Sequence, residues 1–203
     1  MHETYDTGSR SELSPHDETH GRWLLLIYKL PKGSSSGRTT IWREVRRLGA
    51  LSLQHAVCLL PLSKDNRAAY ERLVRRVEGE YGGEASILET ASPSDAWHVR
   101  TVARFNAARD EEYEEVVDET ERFREEIERE RRKGKLTFAE LEDEESNLER
   151  LHKYLARVEA RDTFGADGRA RAAAEVERCA EVLEAFAHEI YEHQRAAEDE
   201  ETR

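Results

Sequence analysis

Cysteine is scarce: Cys58 and Cys179 are the only two in 203 residues. They lie far apart, one in a predicted strand and one on a predicted helix. No disulfide framework is expected, and both read as reduced packing residues of a cytoplasmic protein. Long apolar runs are missing as well. Nothing approaches the roughly 18 apolar residues that a membrane-spanning helix needs, so no membrane partner is expected. The N-terminus, MHETYDTGSRSELSPHDETH, lacks the apolar stretch of a secretory signal. Catalytic signatures are absent too: there is no GxSxG, P-loop, HExxH or CxxC. Glu149-x-x-His152 is half of a di-iron carboxylate pattern, but Glu184 and His188 are four apart, so the second half is missing. His188 and His193 do not share a helix face. His55 and His98 stand alone, where a histidine usually hydrogen-bonds backbone, and His2, His16 and His20 have no ligand spacing. The expectation is a protein that is not an enzyme, with no catalytic residue, no cofactor and no metal.

What the chain has in excess is negative charge. It carries 44 Asp and Glu against 32 Lys and Arg, a net charge of −12. Phosphates are repelled by such a chain, which argues against general nucleic-acid affinity but leaves room for a local basic face. Charged and hydrophobic residues each make up 37%. That balance suits a modest globule joined to long solvated helices better than one large globule.

The local exception is the stretch 22–62. It holds seven cations, Arg22, Lys29, Lys32, Arg38, Arg43, Arg46 and Arg47, against one acid, Glu44. It opens on Trp23-Leu24-Leu25-Leu26-Ile27-Tyr28, a short apolar run that reads as a buried strand. After a Gly/Ser loop comes a short helix with Ile41, Trp42, Val45 and Leu48 on one side, stopped by Gly49. Short strands are expected over 51–54 and 56–62. A second helix follows over 64–81, N-capped by Ser63 and ended by Gly82-Gly83, with Ala68, Leu73 and Val77 on its apolar side and Tyr70 and Tyr81 near it. A weak last strand over 84–89 completes the order βαββαβ, the ferredoxin-like arrangement.

Residues 91–96 read as a turn and a boundary. A long helix is expected over 102–132, with Tyr113, Val116, Thr120, Phe123 and Ile127 at 3-4-3-4 spacing. Thr137 and Glu140 form a capping-box pattern before a helix that carries Leu141, Leu148, Leu151, Leu155 and Val158. A last helix over 169–194 places Val176, Cys179, Leu183, Phe186 and Ile190 on one seam. The fold class is therefore α+β: a ferredoxin-like βαββαβ domain followed by a long-helix antiparallel helical bundle. The expected divisions are a disordered tail over 1–20, the α/β domain over 21–92, the bundle over 97–194 and an acidic frayed tail over 195–203.

Arg43, Arg46 and Arg47 lie within one helical turn and repel one another unless an anion or acid lies opposite. Bundle acids such as Glu125 or Glu142 are one way to neutralise them. A phosphate backbone is a second, and another acidic partner a third. The N–H groups where loop 32–38 enters the helix could hold an anion, or the loop is simply a connection. Tyr28 and Trp42 have a core-like pattern, so no base stacking is expected from them.

Trp23 to Pro31, then Arg38-x-x-Ile41-Trp42-Arg43, Leu48-Gly49-Ala50 and Ala56 to Pro61 together resemble the N-terminal region of the chromate resistance protein ChrB family. The second half is similar as well, in Leu136 to Glu142, Leu148 to Leu155 and Arg161-Asp162-Thr163-Phe164-Gly165-Ala166. The resemblance covers about residues 22–194 and rests on the order and spacing of these segments. It implies a transcriptional regulator tied to chromate resistance. Longer members carry a C-terminal domain to which the chromate response is assigned, and this chain is expected to lack it. More distantly, the first domain is similar to those of PaaX-type repressors and of the small CRISPR adaptation nucleases. Those nucleases end the first strand in Tyr-Asp and hold a metal on the Asp. Here the pair is Tyr28-Lys29, and lysine cannot replace that carboxylate.

Two readings follow. In the first, a cytoplasmic regulator binds double-stranded DNA, as a homodimer, through Lys29, Lys32, Arg38, Arg43, Arg46 and Arg47. No helix-turn-helix signal accompanies it. In the second, a non-enzymatic accessory or scaffold protein acts by protein-protein association without DNA.

Overall fold

A computed structural model describes residues 21–201. The expected tail over 1–20 lies outside the described residues. The chain divides into two compact units, one up to Arg100 and one from Thr101 onward.

The first unit is built on β1 (Arg22–Lys29), α1 (Ser35–Arg47), β2 (Leu51–Gln54), β3 (Val57–Pro61), α2 (Lys64–Gly79) and β4 (Glu84–Ala91). The strands form one sheet in the order β2-β3-β1-β4, and every neighbouring pair is antiparallel. This is the ferredoxin-like arrangement. β1 is central because it is apolar on both faces. Leu24 and Leu26, both fully buried, pack with Ile41 and Val45 of α1 and with Tyr70, Leu73 and Val77 of α2. Each such side chain contributes about 2 kcal/mol by leaving water. Trp23 and Ile27 point the other way, to the face opposite α1 and α2. Trp23 is buried there: its Nε1–H donates to Ser92 Oγ at 2.8 Å, and its ring meets Trp97 edge-on at 5.8 Å. His98 stands 5.7 Å from the same ring and contacts Ser92 Oγ through Nδ1 at 3.2 Å, so its partner is a side chain.

Two strand boundaries differ from the sequence reading. Ala56 belongs to the β2–β3 turn rather than to a strand, with φ of 59°, and its carbonyl accepts from the Tyr28 N–H at 3.0 Å. β4 runs to Ala91 rather than residue 89, because it pairs with β1 over the full length from Lys29↔Glu84 to Arg22↔Ala91. The weak apolar pattern of β4 hides what its partner enforces. Gly49 does stop α1: at φ of 70° it donates to the Arg46 carbonyl, while Ala50 donates to Val45.

The second unit is helical. α3 (Asp95–Lys133) starts within the first unit and continues through the second; α4 (Phe138–Glu159) and α5 (Arg169–Glu201) follow. α3 begins seven residues earlier than its apolar seam suggests. Ser94 caps it, its Oγ accepting from the Trp97 N–H at 3.2 Å, so part of 91–96 is a helix start and not only a turn. α5 runs on past Gln194 to Glu201, since no proline or glycine interrupts the Ala/Glu/Arg sequence there. Thr137 caps α4 as expected, accepting from the Glu140 N–H at 3.3 Å.

The seams meet in two clusters. Tyr113, Val116 and Val117 of α3 pack with Leu155 and Val158 of α4 and Ala172 and Val176 of α5. Phe123 and Ile127, later on α3, pack with Leu141 and Leu151 from early α4 and with Leu183, Phe186 and Ile190 from late α5. α4 therefore runs antiparallel to both other helices. Loop 161–168 is tied to α3: Asp162 accepts from Tyr113 Oη at 3.1 Å and from the N–H groups of Gly165 and Ala166, each at 3.0 Å. Asp110 accepts from the Gly168 N–H at 2.8 Å. That explains the Asp and Gly of the 161–166 segment structurally.

Candidate nucleic-acid interface

α1 turns Gly37, Ile41 and Val45 inward, at i, i+4 and i+8. Gly37 has no room for a larger residue, since an added Cβ would lie 2.8 Å from the Tyr81 ring. The opposite surface of α1 carries Arg38, Trp42, Arg43, Arg46 and Arg47, all exposed. Nine rises of about 1.5 Å from Arg38 to Arg47 make this basic surface roughly 14 Å long.

The structure brings the four predicted arginines together on one helix and puts the two predicted lysines at its entry. Lys29 ends β1 opposite Glu84, and Lys32 lies in the loop after Pro31; both are exposed. Arg38 Nη1 donates to the Pro31 carbonyl at 3.4 Å, which links the start of α1 to that loop. Arg47 lies 3.6 Å from Glu44, an acid of its own helix, and stays 77% exposed. Glu44 is shared, since Arg76 of α2 approaches it at 3.3 Å while pairing with Glu80 at 3.1 Å. The hydrogen bond to Glu80 raises the Arg76 pKa. Among the described residues Arg43 and Arg46 have no ion-pair partner.

Trp42 corrects the sequence reading. Its sequence pattern predicts a core residue, yet it is 50% exposed. It follows Ile41, and one residue along a helix is a rotation of about 100°. With Ile41 facing the sheet, Trp42 faces away from it. The Arg46 guanidinium lies over the indole, 5.1 Å from the ring centroid. Tyr28, by contrast, packs against the core as expected, and burial raises its hydroxyl pKa.

Charge separates between the units. Residues 21–100 carry 13 Lys and Arg against 8 Asp and Glu, a net +5, whereas residues 101–203 carry 18 against 31, a net −13. The helical unit has a cleft of about 600 Å³ whose lining includes Glu119, Arg122, Glu126, Glu144 and Tyr154. Its charges are mixed. Glu144 is buried, accepts from Asn147 Nδ2 at 3.2 Å, and has its carboxyl pKa raised by that burial. Glu149 and His152 are exposed, and Glu149 pairs with Lys153 at 2.7 Å. Among the described residues no group of three or more His, Cys, Asp or Glu is placed to hold a metal. No helix among them is long and apolar enough to cross a membrane. Cys58 and Cys179 are buried free thiols with pKa values raised by burial.

Comparison with known proteins matches residues 38–197 to the family described as Protein ChrB, N-terminal. The chain belongs to the ChrB N-terminal family. Among curated proteins it is similar to Protein ChrB of Cupriavidus metallidurans, 32% identical over 97 residues. That stretch covers 48% of this chain and 29% of the Cupriavidus protein. The ChrB family match starts at Arg38, so it takes in the arginines of α1 and Trp42, while Lys29 and Lys32 precede it. Trp42 is the residue of this surface that sequence reasoning missed. Its signal was available: it lies four residues from both Arg38 and Arg46, a spacing that puts all three on one helix face.

Proposed function

We propose that this ChrB-family chain is a non-enzymatic transcriptional regulator, linked to chromate resistance, that binds double-stranded DNA through α1. One observation carries this reading. In a chain of net charge −12, Arg43 and Arg46 stand exposed on one face of one helix, with no ion-pair partner among the described residues. Arginines held that way gain most from a phosphate backbone, which positions a protein on DNA without reading its sequence. Lys29, Lys32, Arg38 and Arg47 extend the contact. The acidic remainder keeps the affinity local and strongly salt-dependent. The reading needs no cofactor.

Homodimerisation is part of the proposal. The sheet face opposite α1 and α2 exposes Ile27 and Leu88, at 39% and 49%, around the half-buried Leu25 that pairs in register with Leu88. A second copy would bury that apolar surface. The same face favours the alternative reading, an accessory or scaffold protein that associates through it without DNA.

The test is DNA binding across a salt series, with the duplex upstream of the gene itself and an unrelated duplex of equal length. Contacts to about four to six phosphates give log affinity falling with log salt at a slope near −4 to −5. No binding at low salt would refute the regulator and leave the scaffold, whose partner a pull-down would then recover.

A further inference from the structure

We propose that Trp42 contacts DNA bases, so that α1 is more than a phosphate clamp; this rests on the DNA-binding reading above. A single exposed apolar residue is ordinary and needs no explanation. Trp42 differs in where it stands. Arg38 and Arg46 flank it at four residues on either side, on the same face, with Arg43 beside them. The partner that matches three or four cations is an anion, yet an anion alone leaves the indole half in water. A surface that is anionic at its rim and flat and aromatic within satisfies both, and nucleic acid has that chemistry.

The ring is also prepared for such a contact. The Arg46 guanidinium covers one side of it, 5.1 Å from the centroid. A cation over one face restricts the indole rotamer and leaves the other face and edge free for a base. Arg38 and Arg46 are about 12 Å apart along the helix axis, close to the width of the major groove, and Trp42 lies midway between them. In this arrangement the arginines reach phosphates and the indole meets base edges. It supplies the base contact that arginine-to-phosphate bonds cannot.

Trp42→Ala tests this on the full chain with the same DNA duplexes, and Arg43→Ala serves as the contrast. Trp42→Ala should weaken binding roughly tenfold to hundredfold, the worth of burying a large apolar side chain, while leaving the salt slope unchanged. Arg43→Ala should make the slope shallower by about one, the mark of one lost phosphate contact. Tryptophan emission gives a second readout. Trp23 is buried and Trp97 half-buried, so DNA should quench the wild type through Trp42 and leave Trp42→Ala unchanged. Trp42 is not a core residue, so unchanged circular dichroism of the variant will confirm that folding is intact. The proposal fails if Trp42→Ala binds like the wild type, if its slope becomes shallower, or if DNA leaves wild-type emission unchanged. If the wild type binds no DNA at low salt, the regulator reading fails, and this inference with it. Binding without a Trp42 effect defeats the inference alone.

Discussion

Arginine does different work in the two units. In the helical unit most arginines answer a nearby acid. Arg124 pairs with Glu175 at 2.7 Å, Arg131 with Glu189 at 2.9 Å, Arg161 with Glu112 at 2.8 Å and Arg171 with Glu114 at 2.8 Å, each joining different elements. Arg122 and Arg178 pair with acids three residues away, Glu119 and Glu175. Even Arg109, buried and with its pKa lowered by burial, keeps Glu112 at 3.2 Å. In the sheet unit Arg22, Arg67 and Arg76 are answered similarly, by Glu89, Glu80 and Glu44. On α1, Arg47 keeps Glu44, but among the described residues Arg43 and Arg46 have no ion-pair partner. Composition alone would call both units highly charged. What sets α1 apart is that cations without an ion-pair partner stand beside an exposed aromatic ring, Trp42.

The largest test of that contrast is charge reversal. Arg43, Arg46 and Arg47 changed together to Glu should abolish measurable DNA binding at moderate salt and remove about three units of salt slope. Reversal of Arg122, Arg129 and Arg132 in the helical unit should leave DNA affinity within a few-fold. Equal losses from both sets would show that overall charge, and not α1, sets the affinity.

Next come the two cores. Trp23→Ala deletes a buried ring with its Ser92 bond and its Trp97 and His98 contacts. Phe186→Ala removes a fully buried ring from the cluster around Phe123 and Ile127. Each should cost about 3–5 kcal/mol in urea unfolding. Hydrogen exchange should show the loss of protection concentrated in the unit that carries the substitution. Loss spread evenly over the chain would mean that the two units unfold as one.

The helix caps predict a smaller effect of similar size in both units. Ser63→Ala and Thr137→Ala each remove a side-chain acceptor at an N-terminus, from Asn66 N–H in one and Glu140 N–H in the other. Each should cost about 1 kcal/mol in the same unfolding experiment.

The smallest effect depends on pH. Burial raises the Glu144 carboxyl pKa in the folded state. The folded chain then holds that proton to higher pH than the unfolded chain does, so stability from this group falls as pH rises through its folded pKa. Glu144→Gln should match the parent near pH 3 and be the more stable of the two at pH 7, by thermal melts in parallel. A variant less stable at neutral pH would mean that the carboxylate is held by partners rather than strained by burial.

Much of the fold was legible because its signals are local. The seams of α3, α4 and α5 repeat every three or four residues, and all five residues named for the α5 seam are buried. β1 was legible as an unbroken apolar run, and Gly49 as the stop of α1. β4 was only partly legible, since its last residues are held by pairing with β1 rather than by their own pattern. The start of α3 was misjudged because Ser94 and Asp95 fit a turn as well as a cap. On the candidate surface, the cations could be counted along the chain, but Trp42 could not be assigned an environment. An aromatic residue beside Ile41 looks equally at home in a core.

The sequence by itself determined the order of elements, the apolar seams and the concentration of cations near α1, since each depends on neighbours a few residues apart. Only the tertiary structure decided which way α1 rolls onto the sheet. Ile41 and Val45 are drawn against Leu24, Leu26 and Tyr70 because burying them together removes the most apolar surface from water. That choice leaves Trp42 outside beside Arg46, and the burial that sets it involves residues from four elements that no local pattern connects.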